Sequence, residues 1–446
     1  MKSFFKQTCR IRFKFKSNDQ ITARGGVVLI DALALQFGLA EKIRALTILD
    51  PRKRKGSGFS PEAIVTQVVY AICSGGTSLT DVEQMGRDSV WMQLSGLDKG
   101  MDQSTLGEWL RAQSPESVAA LQRMNREFVV WALEKIQPGR ILNAGVLDVF
   151  FDDTQIEVDG KKFEGARFNY NSDMALSLQT LWTGPFVLDS QIDGATDVSG
   201  LLPEMLADNQ EVWVPFKTHF YADSGSSASA YLQNVVEEGQ FGTWSISYNK
   251  WTSALDRVAS ELPLTVWSAP VVGDPNRTQY AFLKHRPGEA DHDYVFAVRK
   301  QQASDELLPR FAYTVGDAGA MDAQLFMEKH KLKGACERGF SDLLSTLDLH
   351  HPPCSKLVAN QMFYTLTILA HNLLQAFKLI ELEDDYQSWT LRSIITNLVT
   401  VPVSVSTHAN ARKATFSLNE RIMKWFRRYI EKHFPRRGPG RPKNGS

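Results

Sequence analysis

Apolar residues recur at three-to-four-residue spacing from about Ile21 to Gln137, in SPEAIVTQVVYAICSGG, SLTDVEQM, QSTLGEWLRAQ and SVAALQRMNREFVVWALEKI. That is the period of helices that bury one face. Local signals mark their ends. Ser60 followed by Pro61 and Glu62 makes an N-cap with proline at the first helical position, Ser78 and Asp81 have capping-box spacing, and Gly75-Gly76 stops the helix before them. The stretch predicts short helices joined by tight turns.

At Pro138-Gly139 the period changes. ILNAGVLDVFFDD is dense in Val, Ile, Leu and Phe and closes on two carboxylates, which predicts a buried strand. ALSLQTLWTG and PFVLDSQI predict two further strands meeting at the turn Thr183-Gly184, VSGLLPEMLADNQ a helix, VPFKTHFYADSG a strand ending in a carboxylate, and SASAYLQNVVEEG the helix after it. Strands and helices that alternate after an initial meander define an α/β class. From about Thr243 to Arg310, LTVWSAPVV, TQYAFLKHR and YVFAVRK read as strands broken by proline and glycine, predicting an inserted β subdomain. Helical periodicity returns in MDAQLFMEKHKLKGACERGFSDLLSTL and KLVANQMFYTLTILAHNLLQAFKLI, and the tail RRGPGRPKNGS has a disordered composition.

Length and composition narrow the class. With 446 residues and 43% apolar content the chain has material for about two or three cores. No apolar run approaches the roughly 20 residues of a membrane span, and the basic N-terminus lacks the apolar stretch of a secretion signal, so a cytoplasmic protein is expected. Cys9, Cys73, Cys336 and Cys354 are scattered without CxxC pairing, against a zinc site or a disulfide framework. The formal net charge is zero, yet both ends are basic: Lys2, Lys6, Arg10, Arg12, Lys14 and Lys16 open the chain, and Arg421 to Lys443 contains one acid, Glu431. Such clusters neutralise phosphates or serve solubility.

Three acidic positions carry candidate chemistry: Asp152 in FFDDT, Asp223 in YADSG and Glu337 in GACERGF. A pair of Mg²⁺ ions needs hard oxygen ligands, and carboxylates from separate core elements can converge around one scissile phosphate. A ribonuclease H-like core has this order, with Asp on the first strand, Asp after a later strand and Glu on a helix against the sheet. Asp153 is the alternative to Asp152, since successive strand residues point to opposite faces and only one can meet the metals. Asp148 shares the face of Asp152 and is expected to meet a buried polar partner instead.

FFDDTQIEVDG with GKKFEGARFNYN, YADSGSSASAYL with TWSISYNKWTSAL, and ACERGFSDLLSTLDLHHPP with LVANQMFYTLTILAHNLL together resemble the DDE insertion-sequence transposases, nearest to the IS-thirteen-eighty family. CSGGTSLTDVEQMGRDSV and MDQSTLGEWL resemble that family's helical domain, so the likeness spans most of the chain. The resemblance implies a ribonuclease H-like catalytic core with an inserted β subdomain and an N-terminal helical domain. It implies Asp152, Asp223 and Glu337 as catalytic residues and ligands of two Mg²⁺ ions, with Mn²⁺ as substitute. The implied divisions are a basic arm (1–20), a helical DNA-binding domain (21–137), the first part of the core (138–242), the insertion (243–310), the rest of the core with the Glu helix (311–400), and a C-terminal helix with a basic tail (401–446).

Related transposases carry a Tyr and an Arg seven and four residues before the Glu and a Lys seven after it. Here His330, Lys333 and Leu344 stand there. Lys333 keeps the charge one helical turn from Glu337, where it can grip a DNA phosphate, and His330 can donate a hydrogen bond, whereas Leu344 cannot. Asn360 and Asn372 resemble family positions but read more simply as core polar residues. Trp244, Trp251 and Trp267 are candidates to stack on an unpaired base. Arg437, Arg441 and Lys443 flank a Gly-Arg-Pro core like that of a minor-groove AT-hook.

The expected activity is therefore DNA transposition on double-stranded DNA, both terminal repeats and target, by a homodimer away from any membrane. A DNA-binding regulator derived from a transposase, and a metal-dependent nuclease without strand transfer, are the competing readings.

Overall fold

The computed structural model describes residues 20–52, 58–159, 162–169, 171–194, 201–226, 232–233, 235, 239–249, 252–288, 290–408 and 411–434. The basic arm, the tail with Arg437, Arg441 and Lys443, most of SASAYLQNVVEEG, and Trp251 lie outside these residues.

After a short strand β1 (Ile21–Thr22) the chain forms helices α1 (Val27–Phe37), α2 (Leu39–Ala45), α3 (Pro61–Cys73), α4 (Leu79–Gly86), α5 (Ser89–Leu94), α6 (Gln103–Arg111) and α7 (Pro115–Lys135). The sequence signals act where expected. The Ser60 hydroxyl accepts from the Ala63 N–H at 3.2 Å, Ser78 and Asp81 form a reciprocal capping box, and α3 stops before Gly75, whose φ of 88° suits glycine.

The sheet begins with β2 (Leu147–Glu157), β3 (Arg167–Phe168), β4 (Met174–Thr183) and β5 (Phe186–Gly194), with the β4–β5 turn at Gly184 as expected. Helix α8 (Leu202–Trp213) leads to β6 (Thr218–Ala222) and then β7 (Thr243–Tyr248). β5 pairs antiparallel with β4, β4 antiparallel with β2, β2 parallel with β6, and β6 parallel with β7. This is the order and sense of a ribonuclease H-like core.

The region expected as an inserted β subdomain supplies strands that join the same sheet. β7 is the last parallel strand of the core. Helix α9 (Ser253–Glu261), absent from the sequence reading, follows it; then β8 (Gln279–His285), β9 (Tyr294–Gln301) and β10 (Arg310–Asp317) prolong the sheet in the order β7-β10-β9-β8. LTVWSAPVV is not a strand. Ser268 N–H reaches the Tyr280 carbonyl and Val271 N–H the Thr278 carbonyl, but Pro270 between them has no N–H and no ladder forms.

Helices α10 (Ala323–His330), α11 (Gly334–Ser341), α12 (Leu357–Glu381) and α13 (Leu391–Ile394) follow, then the hairpin β11 (Val403–His408) and β12 (Ala411–Phe416) and helix α14 (Glu420–His433). Buried α12 ties the halves together. Asn372 donates to the Val187 carbonyl at 2.7 Å and accepts from the Val187 N–H at 3.0 Å, and its amide also reaches Asn125 on α7. Asn360 closes a similar pair of bonds on Cys354, so both asparagines are structural. The division expected at residue 137 is not a packing boundary: one hydrophobic core runs from Val27 through Phe377 to Tyr429, and β1 pairs with β11. Among the described residues no helix is long and apolar enough to cross a membrane.

Candidate active site

β2 places alternate side chains on one face, so Asp148, Phe150 and Asp152 point the same way. Parallel pairing sets Asp148 beside His219, Phe150 beside Tyr221 and Phe151 beside Ala222. One residue on, Asp223 leaves β6 next to Asp152. Two aspartates distant in sequence thus become neighbours through strand register alone.

The segment after β10 lies over this face. Asp322 caps α10 by accepting from the Leu325 N–H at 2.8 Å, and the helix ends in a 3₁₀ turn, Lys331–Lys333, before α11. That turn carries Lys333 inward: its Nζ lies 3.1 Å from Asp152 Oδ2 and 3.6 Å from Asp223 Oδ2. Burial raises the proton affinity of Asp152, Lys333 opposes that rise, and the charge of Asp223 adds to it. Two carboxylates sharing one ammonium retain negative charge.

Asp153 points to the other face, where it accepts from Ser177 Oγ at 3.3 Å. Burial, and then the charge of Asp152, push its carboxyl up to about 6. Asp148 accepts from the Tyr221 hydroxyl at 3.0 Å, the buried polar partner expected for it, and burial raises its proton affinity.

Glu337 lies in the first turn of α11 and is exposed. The helix docks on the sheet through Phe340, edge-on to Trp182 with ring centroids 5.7 Å apart, and through Gly339, where a Cβ would come within 2.6 Å of the Trp182 ring. Among the described residues no group of three or more Asp, Glu, His or Cys side chains is drawn together to hold a metal ion. The expected convergence of three carboxylates is therefore two carboxylates and a lysine, with Glu337 about one turn, roughly 6 Å of helix rise, beyond Lys333.

His330, expected to donate to DNA, is turned inward. Its Nε2 lies 2.7 Å from Ser247 Oγ and its Nδ1 2.9 Å from Ser245 Oγ, while His219 bridges the same Ser245 and Thr243. Burial lowers its pKa to about 4, so the ring is a neutral strut holding the end of α10 on β7. Sequence reasoning missed this chain, although the period-two pattern of His219, Tyr221 and Asp223 in THFYADS placed all three on one face. Trp244 and Trp267 are buried, and Trp267 packs on Phe311 beneath Lys300, so neither is presented to a base.

On a ribonuclease H-like sheet, Asp152 in the middle of β2 and Asp223 just past the end of β6 thus stand side by side. The chain belongs to the transposase DDE domain group 1 family, whose model matches residues 5–432. It is a DNA transposase of the DDE class, whose members generally use divalent metals. Among solved structures it is similar to the piggyBac transposase synaptic complex with hairpin DNA, seen by cryo-electron microscopy, with 12% identity, a TM-score of 0.46, and 84% of this chain and 79% of that one covered. No curated protein matches the chain.

Proposed function

We propose that the protein binds the terminal repeats of its mobile element as a homodimer, cleaves at the element ends, and joins the freed 3′ hydroxyl to target DNA. The observation that carries this reading is the adjacency of Asp152 and Asp223 with Lys333 between them. Their oxygens are the hard donors that Mg²⁺ or Mn²⁺ takes, and their uncompensated charge in a part-buried cleft suits a divalent cation. Asp152 and Asp223 would hold the ions, with Glu337 as third ligand and Asp153 outside the set. When bound, two such ions supply Lewis acidity to the scissile phosphate.

The side chains divide the remaining work. Asp152 and Asp223, fixed by strand register, define where the phosphate lies. Lys333 aims its ammonium into the same cleft, where it can take a non-bridging phosphate oxygen and orient the DNA. The helices around α12 and the basic chain ends supply DNA affinity.

The test is a purified protein, duplex DNA carrying the element's flanking sequences, and Mg²⁺ or Mn²⁺. Nicking and joining at the element end are expected. Glu337→Gln should keep gel-shift binding and lose both reactions together, by about 100-fold or more. A Glu337→Gln protein that cleaves at the parent rate would remove Glu337 from the site. A parent that binds end DNA without cutting would be a DNA-binding regulator.

A further inference from the structure

Beyond the two aspartates, the same sheet face continues across β7, β10 and β9. Register carries it in steps: Ser247 pairs with Thr314, Thr314 with Ala297, and, in the next row on the same face, Ala312 with Arg299 and Arg299 with Tyr280. Between this row and the C-terminal end of α10 lies an open groove lined by Asn249, Thr252, Tyr280, Arg299, Phe311 and Lys331. With strands about 4.8 Å apart, Arg299 stands three strands from β6, on the order of 15 Å from Asp223.

Arg299 is half-buried and its Nε is buried without a hydrogen-bond partner among the described residues. Neither Arg299 nor Lys331 has an ion pair among those residues, and the acids around the groove have other partners: Glu328, whose charge reaches Tyr280 as that of Arg299 does, accepts from Gln324 at 2.9 Å. Asp256 accepts from the Tyr313 hydroxyl at 2.7 Å, Asp274 from the N–H groups of Asn276 and Thr278, and Glu306 pairs with Arg310 at 3.1 Å. A buried guanidinium N–H with no hydrogen-bond partner, on a side chain that forms no ion pair among the described residues, leaves a positive group that an anion in the groove can complete. Asn249 and Thr252 add neutral donors on the rim.

We infer that this groove is a phosphodiester-binding subsite for the DNA strand running from the scissile phosphate across β7 and β10, with Arg299 and Lys331 as its phosphate contacts. The inference rests on the transposase reading and adds a direction to it: the strand crosses the sheet toward β9. A planar guanidinium suits two phosphate oxygens, and Lys331, two residues before Lys333, places a second charge on the same path.

The experiment measures anisotropy of labelled element-end duplex with the full chain from 50 to 200 mM salt, for the parent, Arg299→Gln and Lys331→Gln. Each lost phosphate contact should reduce the slope of log K against log salt by about 0.9 and weaken binding about 5- to 10-fold near 100 mM salt. Shortening the duplex on one side of the cleavage point should lower parent affinity while leaving Arg299→Gln little changed. Unchanged slopes and affinities in both variants, with a parent that binds, would overturn the subsite alone. A parent that fails to bind end DNA would overturn the transposase reading with it.

Discussion

Lys333 stands 3.1 Å from Asp152 and 3.6 Å from Asp223, so the charge balance of the cleft depends on a residue from a different element. Both members of the pair are largely shielded, with side-chain exposures of 19% and 13%. Lys333→Met should therefore destabilise the protein by leaving a part-buried carboxylate uncompensated. In an Asp152→Asn background the same change should cost less, with a coupling of about 1–2 kcal/mol in a double-mutant cycle measured by urea unfolding. Additive effects would mean that the two groups do not share their charge in solution.

The two adjacent aspartates should separate cleanly in activity. Asp152→Asn removes the carboxylate beside Asp223 and should lower cleavage of end DNA by on the order of 1,000-fold. Asp153→Asn alters a group on the opposite face, bonded to Ser177, and should cost less than about 10-fold. Rates in Mg²⁺ and Mn²⁺ decide it, and a reversed order would transfer the ligand role to Asp153.

Much of this site was legible in the sequence. FFDDT and YADSG carry the two aspartates, and apolar density together with period two placed them on strands, because a buried strand cannot hide its composition. The role of Lys333 was half legible. Its spacing from Glu337 showed a shared helix face, but the contact with Asp152 depends on how the turn Lys331–Lys333 docks, which no local pattern encodes. His330 misled for the same reason: a histidine before the Glu337 helix reads alike whether it faces solvent or two serines of β7. Strands were expected in the inserted β region and form at TQYAFLKHR and YVFAVRK, but strand patterning reports pleat and burial, not which sheet a strand joins. The helices of residues 21–137 were legible because their capping signals are local, whereas their packing on α12 comes from residues more than two hundred positions away.

Acid should weaken the fold through its buried histidines. His330 and His371 both have pKa values lowered by burial to about 4, and His219 is also lowered. The sign follows from proton uptake: below about pH 6.5 the unfolded chain binds protons on these rings that the folded chain refuses, so stability rises with pH between about 4 and 6.5 and is flat for them above it. Each contributes a slope of up to about 1.4 kcal/mol per pH unit in that window. His330→Asn should flatten the pH 7 to pH 5 change in unfolding free energy by about one histidine's share, and an unaltered slope would show that His330 is accessible to protons in the native state.

The docking of α11 on Trp182 should control the reaction through geometry. A Cβ at Gly339 would lie 2.6 Å from the Trp182 ring, closer than side chains tolerate. The ring has little room to yield, since its Nε1 donates to Thr180 at 2.7 Å and its faces and edges meet His371 and Phe340. Gly339→Ala should therefore push α11 off the sheet, at a net cost of about 1–2 kcal/mol after the better helix propensity of alanine offsets part of the strain. Glu337 moves with that helix, so cleavage should fall at least 10-fold while binding of end DNA persists. Trp182→Leu opens a cavity by itself and is destabilising alone, yet combined with Gly339→Ala it should cost less than the sum, because the smaller side chain removes the clash. Chemical denaturation and single-turnover cleavage on the two single variants and the double give the answer. If Gly339→Ala loses stability but cleaves like the parent, the placement of α11 does not govern the chemistry, and Glu337 would lose its claim as the third ligand.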